Sequence, residues 1–470
     1  GINAAVVNFD TWSGGKDLVA ADEIWQIAFY ADAAETSTTS VFGWTTDASH
    51  YIRIFAPSAS AEVGASQRHN GVWSTTAARI VVSNTHCLNF GEDNVRLEGM
   101  QLYIQSTSGM YNCGVYLSGT FGTGDFRLSG NIFRGDPAAA ITEHSGISVS
   151  FGLGSGTVRI WNNVFYDFNG FANANGIYLN DSAYTSYVYN NTVHNCYNGV
   201  NLNNGSATAV NNVVQSCTDG FVGAFAAASD HNVSDLAGDA PGGNAKNSTA
   251  VSFVNAGGGD FHLDVSDTGA WLAGQDLSGD ANLAFSDDID LETRAGPWDA
   301  GADEIDKPVP IYRSVGPGNT SALDTGAGNN LSIAAGTATF AAAVPDNVGV
   351  GDAIQYDADN DGTVETLAFI HGRNSPAIYQ VRRADGGLPA ATNTTDQDWS
   401  IFRAYTGLED AIILSENSGI DAVLQDFDLG DAGSGRDLPA NNEIWHFACY
   451  ADADDAANSN GVEIGVNGWA

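Results

Sequence analysis

Apolar and polar residues alternate in short segments that are separated by Gly and Asn. The sequences GIYLN and GVNLN, at residues 176–180 and 199–203, are two examples. In a β-strand, successive side chains point to opposite faces. Each such segment therefore predicts a short strand with one buried face and one polar face.

These segments recur in two series. Asn followed by a pair of mostly β-branched or aromatic residues occurs at 131, 163, 191 and 212, and more weakly at 232. Gly followed by an alternating segment occurs at 114, 146, 176, 199 and 220, in steps of 32, 30, 23 and 21 residues. Strands this short cannot bury a face alone, so the pattern predicts coils that stack as a solenoid. Equivalent strands would lie about 4.8 Å apart.

Two cysteines follow the same period. Cys196 and Cys217 are 21 residues apart, and Phe168 fits the same position one coil earlier. We expect these side chains to occupy equivalent interior positions, as a ladder of apolar groups. A disulfide between neighbouring coils is the alternative. A metal site is not expected, because no His or acidic residue is spaced with them.

The coils resemble the right-handed parallel β-helix repeats of the pectate-lyase-like superfamily, including secreted bacterial tandem-repeat surface proteins. DFHLDVSDTGAWLAGQDLSGD, at residues 260–280, and DDIDLETRAGPWDAGADE, at 287–304, are similar to the closing segment of many secreted bacterial β-helix proteins. The resemblance covers roughly residues 52–304. It implies a fold but leaves the function open, because that superfamily includes lyases, hydrolases, adhesins and inert stalks.

A longer repeat links the two ends of the sequence. Residues 1–10 match residues 419–428, residues 16–32 match 436–452, and Gly-Trp recurs at 43–44 and 468–469. The offsets are 418, 420 and 425 residues. We interpret the chain as one period followed by the opening of the next, taken from a longer tandem array. Alternatively, something else covers the edge that the second copy of this cap would expose.

The predicted fold class is all-β, with a right-handed parallel β-helix solenoid and a small β-rich, β-sandwich-like module. The predicted domains are a cap with the first coils (1–51), the β-helix (52–265), its closing segment (266–306), the small module (307–407), and a short helix with the second cap (408–470). Residues 306–310 read as a Pro-containing linker and residues 408–417 as the helix. Predicted strands of the small module lie within 331–340, 353–359, 366–372, 377–383 and 399–405.

The charge of the chain restricts its partners. It has 470 residues with 17 Lys and Arg against 56 Asp and Glu, a net charge of −39. Such a surface repels nucleic acids and anionic membranes, and no apolar run reaches the 18 residues of a membrane span. We therefore expect no nucleic-acid partner and no membrane insertion. Acidity that only maintains solubility is the simpler interpretation of the charge.

Composition also bears on the compartment. Gly and Asn are abundant, which suits a turn-rich protein outside the cell. The five cysteines do not form a disulfide framework or a zinc pattern. No signal peptide opens the sequence, so any export signal would have been removed or would lie upstream. We expect an extracellular or cell-surface location.

The sharpest local motif is DADNDGTVE, which contains Asp357, Asp359, Asp361 and Glu365. Acidic residues at positions 1, 3 and 5 before a Gly resemble the start of an EF-hand calcium loop. Ala368 stands where the usual Glu of position 12 belongs, and the flanks read as strands. Ca²⁺ is therefore the one expected cofactor, with Glu365 as a substitute ligand and a stiffening role. A plain hairpin turn with solvated acids is the alternative.

No catalytic residue is assigned. Arg96, Arg127 and Arg159 stand at equivalent repeat positions, which predicts an outward ladder paired with acids instead of the basic group of a lyase. The carboxylates that a hydrolase would need are scattered, at Asp125, Asp167, Asp181, Asp219, Asp230 and Asp235. His194 and His231 are isolated near turns. Residues 66–73, SQRHNGVW, would either stack on a sugar or form a buried turn.

These observations favour an extracellular structural or adhesive protein, a rigid β-helical rod in tandem repeats that assembles into a surface fibre. Its partners would be copies of itself, with neutral glycans left open. The alternative is a polysaccharide-active lyase or hydrolase, or a carbohydrate-binding stalk. A uniform ladder on the coils would favour the rod, and a cleft of converging acids, Arg and aromatic residues would favour the enzyme.

Overall fold

The computed structural model describes residues 15–106, 111–119, 123–136, 143–152, 155–294, 296–305, 307–392, 396–428, 436–438, 441 and 443–453. About 41% is strand and 4% helix, which confirms the predicted all-β class. The chain divides into two compact units, Gly1–Arg294 with Asp299–Ile305, and Ala295–Trp298 with Asp306–Ala470. We call them the solenoid-like unit and the small unit. Within the described ranges, no helix is long and apolar enough to span a membrane.

Among the described residues of the solenoid-like unit, the first element is the short helix α1 (Leu18–Ala21), and a 3₁₀ turn covers Ala256–Gly258. Its strands are β1 (Trp25–Ala28), β2 (Thr39–Val41), β3 (Ile52–Phe55), β4 (Arg79–Ser83), β5 (Leu88–Phe90), β6 (Val95–Glu98), β7 (Gln101–Gln105), β8 (Tyr111–Gly119), β9 (Thr123–Ser129), β10 (Ile132–Arg134), β11 (Glu143–Gly152), β12 (Ser155–Trp161), β13 (Val164–Tyr166), β14 (Ala174–Tyr189), β15 (Thr192–His194), β16 (Asn198–Val210), β17 (Val213–Gln215), β18 (Asp219–Val222), β19 (Val233–Ser234), β20 (Phe253–Asn255) and β21 (Asp260–Leu263).

The strands from β1 to β19 form three ladders of parallel strands. The front ladder contains β1, β3, β6, β9, β12 and the second halves of β14 and β16. The side ladder contains β2, β5, β8, β11, the first halves of β14 and β16, and β18. The back ladder contains β4, β7, β10, β13, β15, β17 and β19. Most coils pass through all three ladders in turn, which gives the stacked, solenoid-like curvature that the repeats predicted.

Both sequence series coincide with the observed register. The series that follows Gly lies in the side ladder, where Val115, Ile147, Ile177, Val200 and Phe221 pair in succession. The series that follows Asn lies in the back ladder, where Phe133, Phe165, Val193 and Val214 pair in succession. Their side chains are buried in one core, and the Phe133 and Phe165 rings stack with centroids 4.7 Å apart.

The predicted cysteine positions are also aligned. The backbone N–H of Tyr197 donates to the carbonyl of Phe168 at 2.7 Å, and that of Thr218 donates to the carbonyl of Cys196 at 3.2 Å. Phe168, Cys196 and Cys217 therefore stack in adjacent coils, and all three are buried. All five cysteines lie within the described residues and are free thiols, so the interior ladder is present and the alternative disulfide is not.

The small unit is built on a seven-stranded antiparallel sheet in the order β23-β29-β26-β27-β28-β25-β24, with a separate parallel pair, β22 and β30. The elements are β22 (Val309–Val315), β23 (Asp324–Thr325), β24 (Leu331–Ala334), β25 (Thr337–Phe340), β26 (Ala353–Tyr356), β27 (Thr366–Ser375), β28 (Ile378–Arg382), β29 (Trp399–Phe402), α2 (Leu408–Ile412), the 3₁₀ turn Ala422–Leu424 and β30 (Glu443–Cys449). Side chains along the sheet alternate between two apolar clusters. Both faces are therefore covered at the central strands β26, β27 and β29.

Two expectations for the small unit differ from the structure in extent. The helix expected over residues 408–417 ends at Ile412, because Leu414 takes a left-handed backbone conformation with φ 57°. Strand β22 begins at Val309, inside the segment read as a linker. Its pairing strand, β30, lies more than a hundred residues further along the chain. The sequence near β22 therefore gives no indication of the strand with which it pairs.

Candidate functional site

The predicted calcium loop joins the antiparallel strands β26 and β27. Carboxylate oxygens of Asp357, Asp359 and Asp361 all lie within 4.8 Å of one another. Glu365 is not part of that group, and its Oε1 accepts a hydrogen bond from the Ala358 backbone N–H at 2.6 Å. The structure therefore brings together three of the four predicted ligands.

The same loop carries the hydrogen bonds of a tight turn. Asp357 Oδ1 accepts from the N–H of Asn360 at 2.5 Å, and its Oδ2 accepts from that of Gly362 at 2.6 Å. Burial opposes ionisation of Asp357, but the backbone donors outweigh it and lower the pKa of this carboxyl. Both expected interpretations, calcium loop and hairpin turn, thus stay open.

The acidic and histidine candidates of the coils are spread over separate turns and ion pairs. Asp167 lies in a turn with φ 65° and accepts from Asn195. Asp230 accepts hydrogen bonds from the backbone N–H and the Nδ2 of Asn244. Asp235 accepts one from the Ser216 N–H, and Asp181 accepts one from the Ala183 N–H. Aromatic rings of Phe253 and Phe261 surround His194, and His231 occupies a left-handed turn. Asp230 and His231 pair with each other, with His231 Nδ1 3.3 Å from Asp230 Oδ2. The described contacts bring no two of these carboxylates together.

The arginine ladder is present and is longer than the sequence indicated. Arg53, Arg96, Arg127 and Arg159 pair in register across β3, β6, β9 and β12 of the front ladder. Asp125 pairs with both Arg127 and Arg159. Glu98 accepts from Arg53 Nε at 2.7 Å, and Arg96 lies over the Tyr51 ring at 3.3 Å. The predicted pairing of the ladder with neighbouring acids is thus observed.

A groove lies beside this ladder, which we call the front groove. It encloses about 280 Å³. The next row of the front ladder, Phe55, Glu98, Ser129 and Trp161, forms one wall. The opposite wall comes from the closing segment, through Phe285, Asp287, Asp288 and Leu291. Arg53, Glu62 and Arg68 complete the lining. The groove therefore combines aromatic rings, carboxylates and guanidinium groups.

Arg68 fixes the floor of the front groove. It lies against Gly99 and Gly130, which both have a positive φ. A Cβ on Gly130 would lie 2.0 Å from Arg68 Nη2, and one on Gly99 would lie 2.6 Å from Nη1. Arg68 Nη2 donates to the carbonyl of Ile289 at 2.9 Å, and burial lowers the pKa of this guanidinium. Glycine is required at both turns because the guanidinium occupies the space of a side chain.

Asp288 is the most perturbed acid in the lining. Its Oδ1 accepts from the backbone N–H groups of Asp290 and Glu292, at 2.8 and 3.0 Å. Its Oδ2 is buried and has no hydrogen-bond donor in the described structure. Burial raises the pKa of Asp288 to about 6. A carboxyl that titrates near neutral pH is suited to proton transfer, although the Asp288 side chain itself is only 1% exposed.

A second groove, the side groove, lies over the side ladder and also encloses about 280 Å³. Tyr111, Glu143, Tyr178 and the amides of Asn173, Asn175, Asn180, Asn201 and Asn203 line it. Glu143 Oε1 accepts from Ser148 Oγ at 2.8 Å, and burial raises the pKa of this carboxyl. Asn175 accepts from Asn198 and Asn201, both at 2.9 Å. This surface is polar and largely bonded to itself.

Residues 66–73 form a turn that is buried only at its centre: His69 and Gly71 are buried, whereas Ser66 and Asn70 are exposed. The expected buried turn is therefore present in part, and stacking on a sugar stays a prediction. His69 Nδ1 accepts from the Gly71 N–H at 3.1 Å and Nε2 donates to the Gly130 carbonyl at 2.9 Å. His262 lies against Gly71 and bridges Asp260 and Asp290 at 2.6 Å each. The Asp290 hydrogen bond is the main cause that raises the pKa of His262 to about 10. We interpret this group as an imidazolium clamp that holds the closing segment.

Sequence reasoning missed both grooves. Phe285 and Asp288 reach the front ladder from more than 120 residues beyond Trp161, so no spacing in the sequence links them. The row Phe55, Glu98, Ser129 and Trp161 shares no residue type and therefore shows no repeat. The one available signal was Arg68 in its unusual segment.

Comparison with known proteins adds no evidence about these features. No protein-family model, no curated protein and no solved structure matches this chain.

Proposed function

We propose that this protein is an extracellular structural repeat protein, in which the solenoid-like unit is a right-handed parallel β-helix and serves as a rigid rod. The observation that supports a rod most strongly is a ladder of buried asparagines, at 131, 163, 191, 212 and 232. Each Oδ1 from the second member onward accepts from the N–H and the Nδ2 of the member before it, at 2.9–3.1 Å.

The ladder supports rigidity for a simple reason. Each coil contacts its neighbours, so length is added without new long-range folding requirements. Buried amides that are fully hydrogen-bonded resist local opening, because an unpaired group in the core is costly. A net charge of −39 would hold such rods apart and in solution. Repetition of the cap sequence supports assembly of the units in tandem, as a surface fibre.

Electron microscopy of the protein from its native source tests this proposal. We expect filaments or rods with a repeating unit, and a native mass that corresponds to several repeats. Isolated particles that do not associate, with the mass of a single unit, would contradict the structural role.

The front groove favours a second candidate, a carbohydrate-binding or polysaccharide-active surface. Trp161 and Phe285 offer aromatic rings for a sugar, and Glu98 and Asp287 offer acceptors for hydroxyl groups. The acidic surface favours a neutral glycan over a uronate. Binding of neutral oligosaccharides is measured by calorimetry with Trp161→Ala and with Phe42→Ala, a control at an exposed aromatic residue outside the groove.

Loss of binding in Trp161→Ala alone is the expected result for a glycan surface. Equal binding by all three proteins, or none by any, would remove this candidate. Incubation with uronate polymers, followed by absorbance of unsaturated products, tests the lyase alternative. Product formation that Asp288→Asn abolishes would replace the structural proposal with an enzymatic one.

A further inference from the structure

The cap sequence occurs twice, and the described parts of both copies share an ion pair followed by a strand. Residues 16–32 correspond to residues 436–452 with an offset of 420. The first copy forms the ion pair Lys16–Glu23 at 2.5 Å, and the second forms Arg436–Glu443, with Nε donating at 2.8 Å. A strand follows in both, β1 in the first copy and β30 in the second.

The two copies pair with different strands. Strand β1 pairs in parallel with β3, with Trp25 opposite Ile52 and Gln26 opposite Arg53. Strand β30 pairs in parallel with β22, with Trp445 opposite Ile311 and His446 opposite Tyr312. Among the described strands, each cap strand pairs with one other strand.

The hydrogen bonds use opposite edges of the cap strand. In the first copy the N–H groups of Trp25 and Phe29 donate to the strand of the first coil, at 3.1 and 2.8 Å. In the second copy the N–H of Tyr450 donates to Val315, at 2.8 Å. Tyr450 corresponds to Tyr30, so the second copy uses the residues of the other parity. Alternate N–H groups of a strand point to opposite sides, and the two pairings are therefore compatible in one copy.

Side chains that follow the strand show the same complementarity. Tyr450 lies over the Arg403 guanidinium at 3.6 Å, and Asp452 pairs with Arg403 Nε at 2.8 Å. Tyr30 and Asp32 are the same residue types at the corresponding positions, yet both are exposed, Tyr30 at 45%. The first cap thus carries the side chains that hold an arginine of the small unit.

We propose that the cap strand is a two-edged junction between repeats. One edge takes the strand Val309–Val315 of a small unit, and the other takes the strand Ile52–Phe55 of the solenoid-like unit in the following copy of this chain. The junction places Tyr312, His446 and Arg53 of the following copy in one row, which continues into the arginine ladder. Trp445 would lie opposite Ile52 of that copy. This inference rests on the proposed tandem-repeat role and specifies its joint.

A two-copy chain tests the junction. Residues 45–470 are appended after Trp469, since Gly468–Trp469 repeats Gly43–Trp44, and Cys449→Ser removes the exposed thiol. His446→Cys in the first copy is combined with Arg53→Cys in the second. We expect a disulfide between them under mild oxidation, because residues opposite each other on neighbouring strands lie within disulfide range.

Matched pairs in the same chain serve as controls. Gln26→Cys with Arg53→Cys in the first copy, and Tyr312→Cys with His446→Cys, occupy registers that the structure contains and should both close. His446→Cys with Arg96→Cys of the second copy lies one coil too far and should remain open. Closed controls with an open test pair would overturn the junction.

Amide hydrogen exchange gives a second, substitution-free measurement. In the 470-residue chain the N–H groups of Gln26 and Ala28 lie on the edge of β1 away from β3 and should exchange faster than those of Trp25 and Ile27. In the junction strand of the two-copy chain, we expect the N–H groups of Trp445, His446, Phe447 and Ala448 all to be protected. Alternating exchange in the junction strand, as in β1, would also overturn the proposal. The absence of filaments in native material would contradict the structural role while leaving this result intact.

Discussion

The same turn is built in two ways in the early coils, which contain β6 and β9, and in the late coils, which contain β12, β14 and β16. The turn from the front ladder to the back ladder needs a left-handed residue, and Gly99, Gly130, Asn162, Asn190 and Asn211 all have a positive φ there. In the late coils the asparagine side chains fill the turn, and they bond to carbonyls of the closing segment such as that of Gln275. In the early coils glycine leaves the turn open, and Arg68 occupies it.

This difference changes the surface that lies beside the turn. Where the turn is filled by its own asparagine, coil follows coil without interruption. Where glycine admits a charged side chain from another segment, a groove with a buried acid forms beside it. The front groove also includes Trp161 and Asn162, so it lies where the glycine turns are followed by the asparagine turns.

The largest effect should come from breaking the late coils. Asn191→Ala removes acceptors and donors that serve Asn163, Asn212 and the carbonyls of Ile160 and Tyr189. Since several buried groups lose their hydrogen bonds, we expect a loss of about 3 kcal/mol in unfolding free energy, measured by urea denaturation. Asn204→Ala, at an exposed position, should change stability by about 0.5 kcal/mol or less. Equal effects would contradict the special role of the ladder.

The pH dependence of the early coils should be the next largest. The folded pKa of Asp288 is about 6, above the value of 3.8 for the free side chain, so the folded state binds this proton more tightly. Its contribution to stability is therefore complete below pH 3.8 and is lost as the pH rises through 6. At 1.36 kcal/mol per pKa unit, the shift from 3.8 to about 6 corresponds to at most about 3 kcal/mol over this window. Asp288→Asn should flatten that slope in denaturation curves, and an unchanged slope would show that another group carries it.

A side chain placed in the early turn should lower the free energy of unfolding by a somewhat smaller amount. Gly130→Ala places a side chain at φ 58° and against Arg68, for an expected loss of about 1–2 kcal/mol. Repeating the change in an Arg68→Ala background removes the contact and leaves only the backbone strain. A double-mutant cycle should therefore show coupling between the two residues. Additive effects would mean that Arg68 does not depend on the glycine.

The smallest effect should be a calcium response that leaves both groups of coils unchanged. If the loop of Asp357, Asp359 and Asp361 binds Ca²⁺, millimolar calcium should raise the thermal unfolding midpoint of the small unit by a few degrees. The Asp359→Asn, Asp361→Asn double variant should lose this response, and chelation of the wild type should reverse it. A calcium response that survives the double variant would place the ion elsewhere.

Local repetition made the coils predictable. The Gly and Asn series fixed the register of two ladders, and Arg96, Arg127 and Arg159 fell in line because their segments share a pattern. Arg53 was not predicted as a member of the arginine ladder, because 43 residues separate it from Arg96, a longer step than those between later coils. The strands of the small unit were visible from their alternation.

Features that depend on distant segments were not predictable. Asp288 becomes part of a groove only through the path of the closing segment, and β22 becomes a strand only by pairing with β30. The meeting of Arg68 with Gly99 and Gly130 depends on tertiary packing in the same way. A periodic pattern reports contacts between neighbours in the repeat and carries no information about segments outside it.

The buried arginines of the small unit show how far along the chain this unit must extend in order to fold. Asp428 accepts from Arg313 Nε at 2.7 Å, and Asp352 and Asp452 pair with Arg403. A chain cut at residue 418 would leave Arg313 without this carboxylate in a buried place, at a cost of several kcal/mol. The folding unit is therefore out of phase with the sequence repeat: the segment from residue 419 onward, which repeats the start of the sequence, completes the small unit.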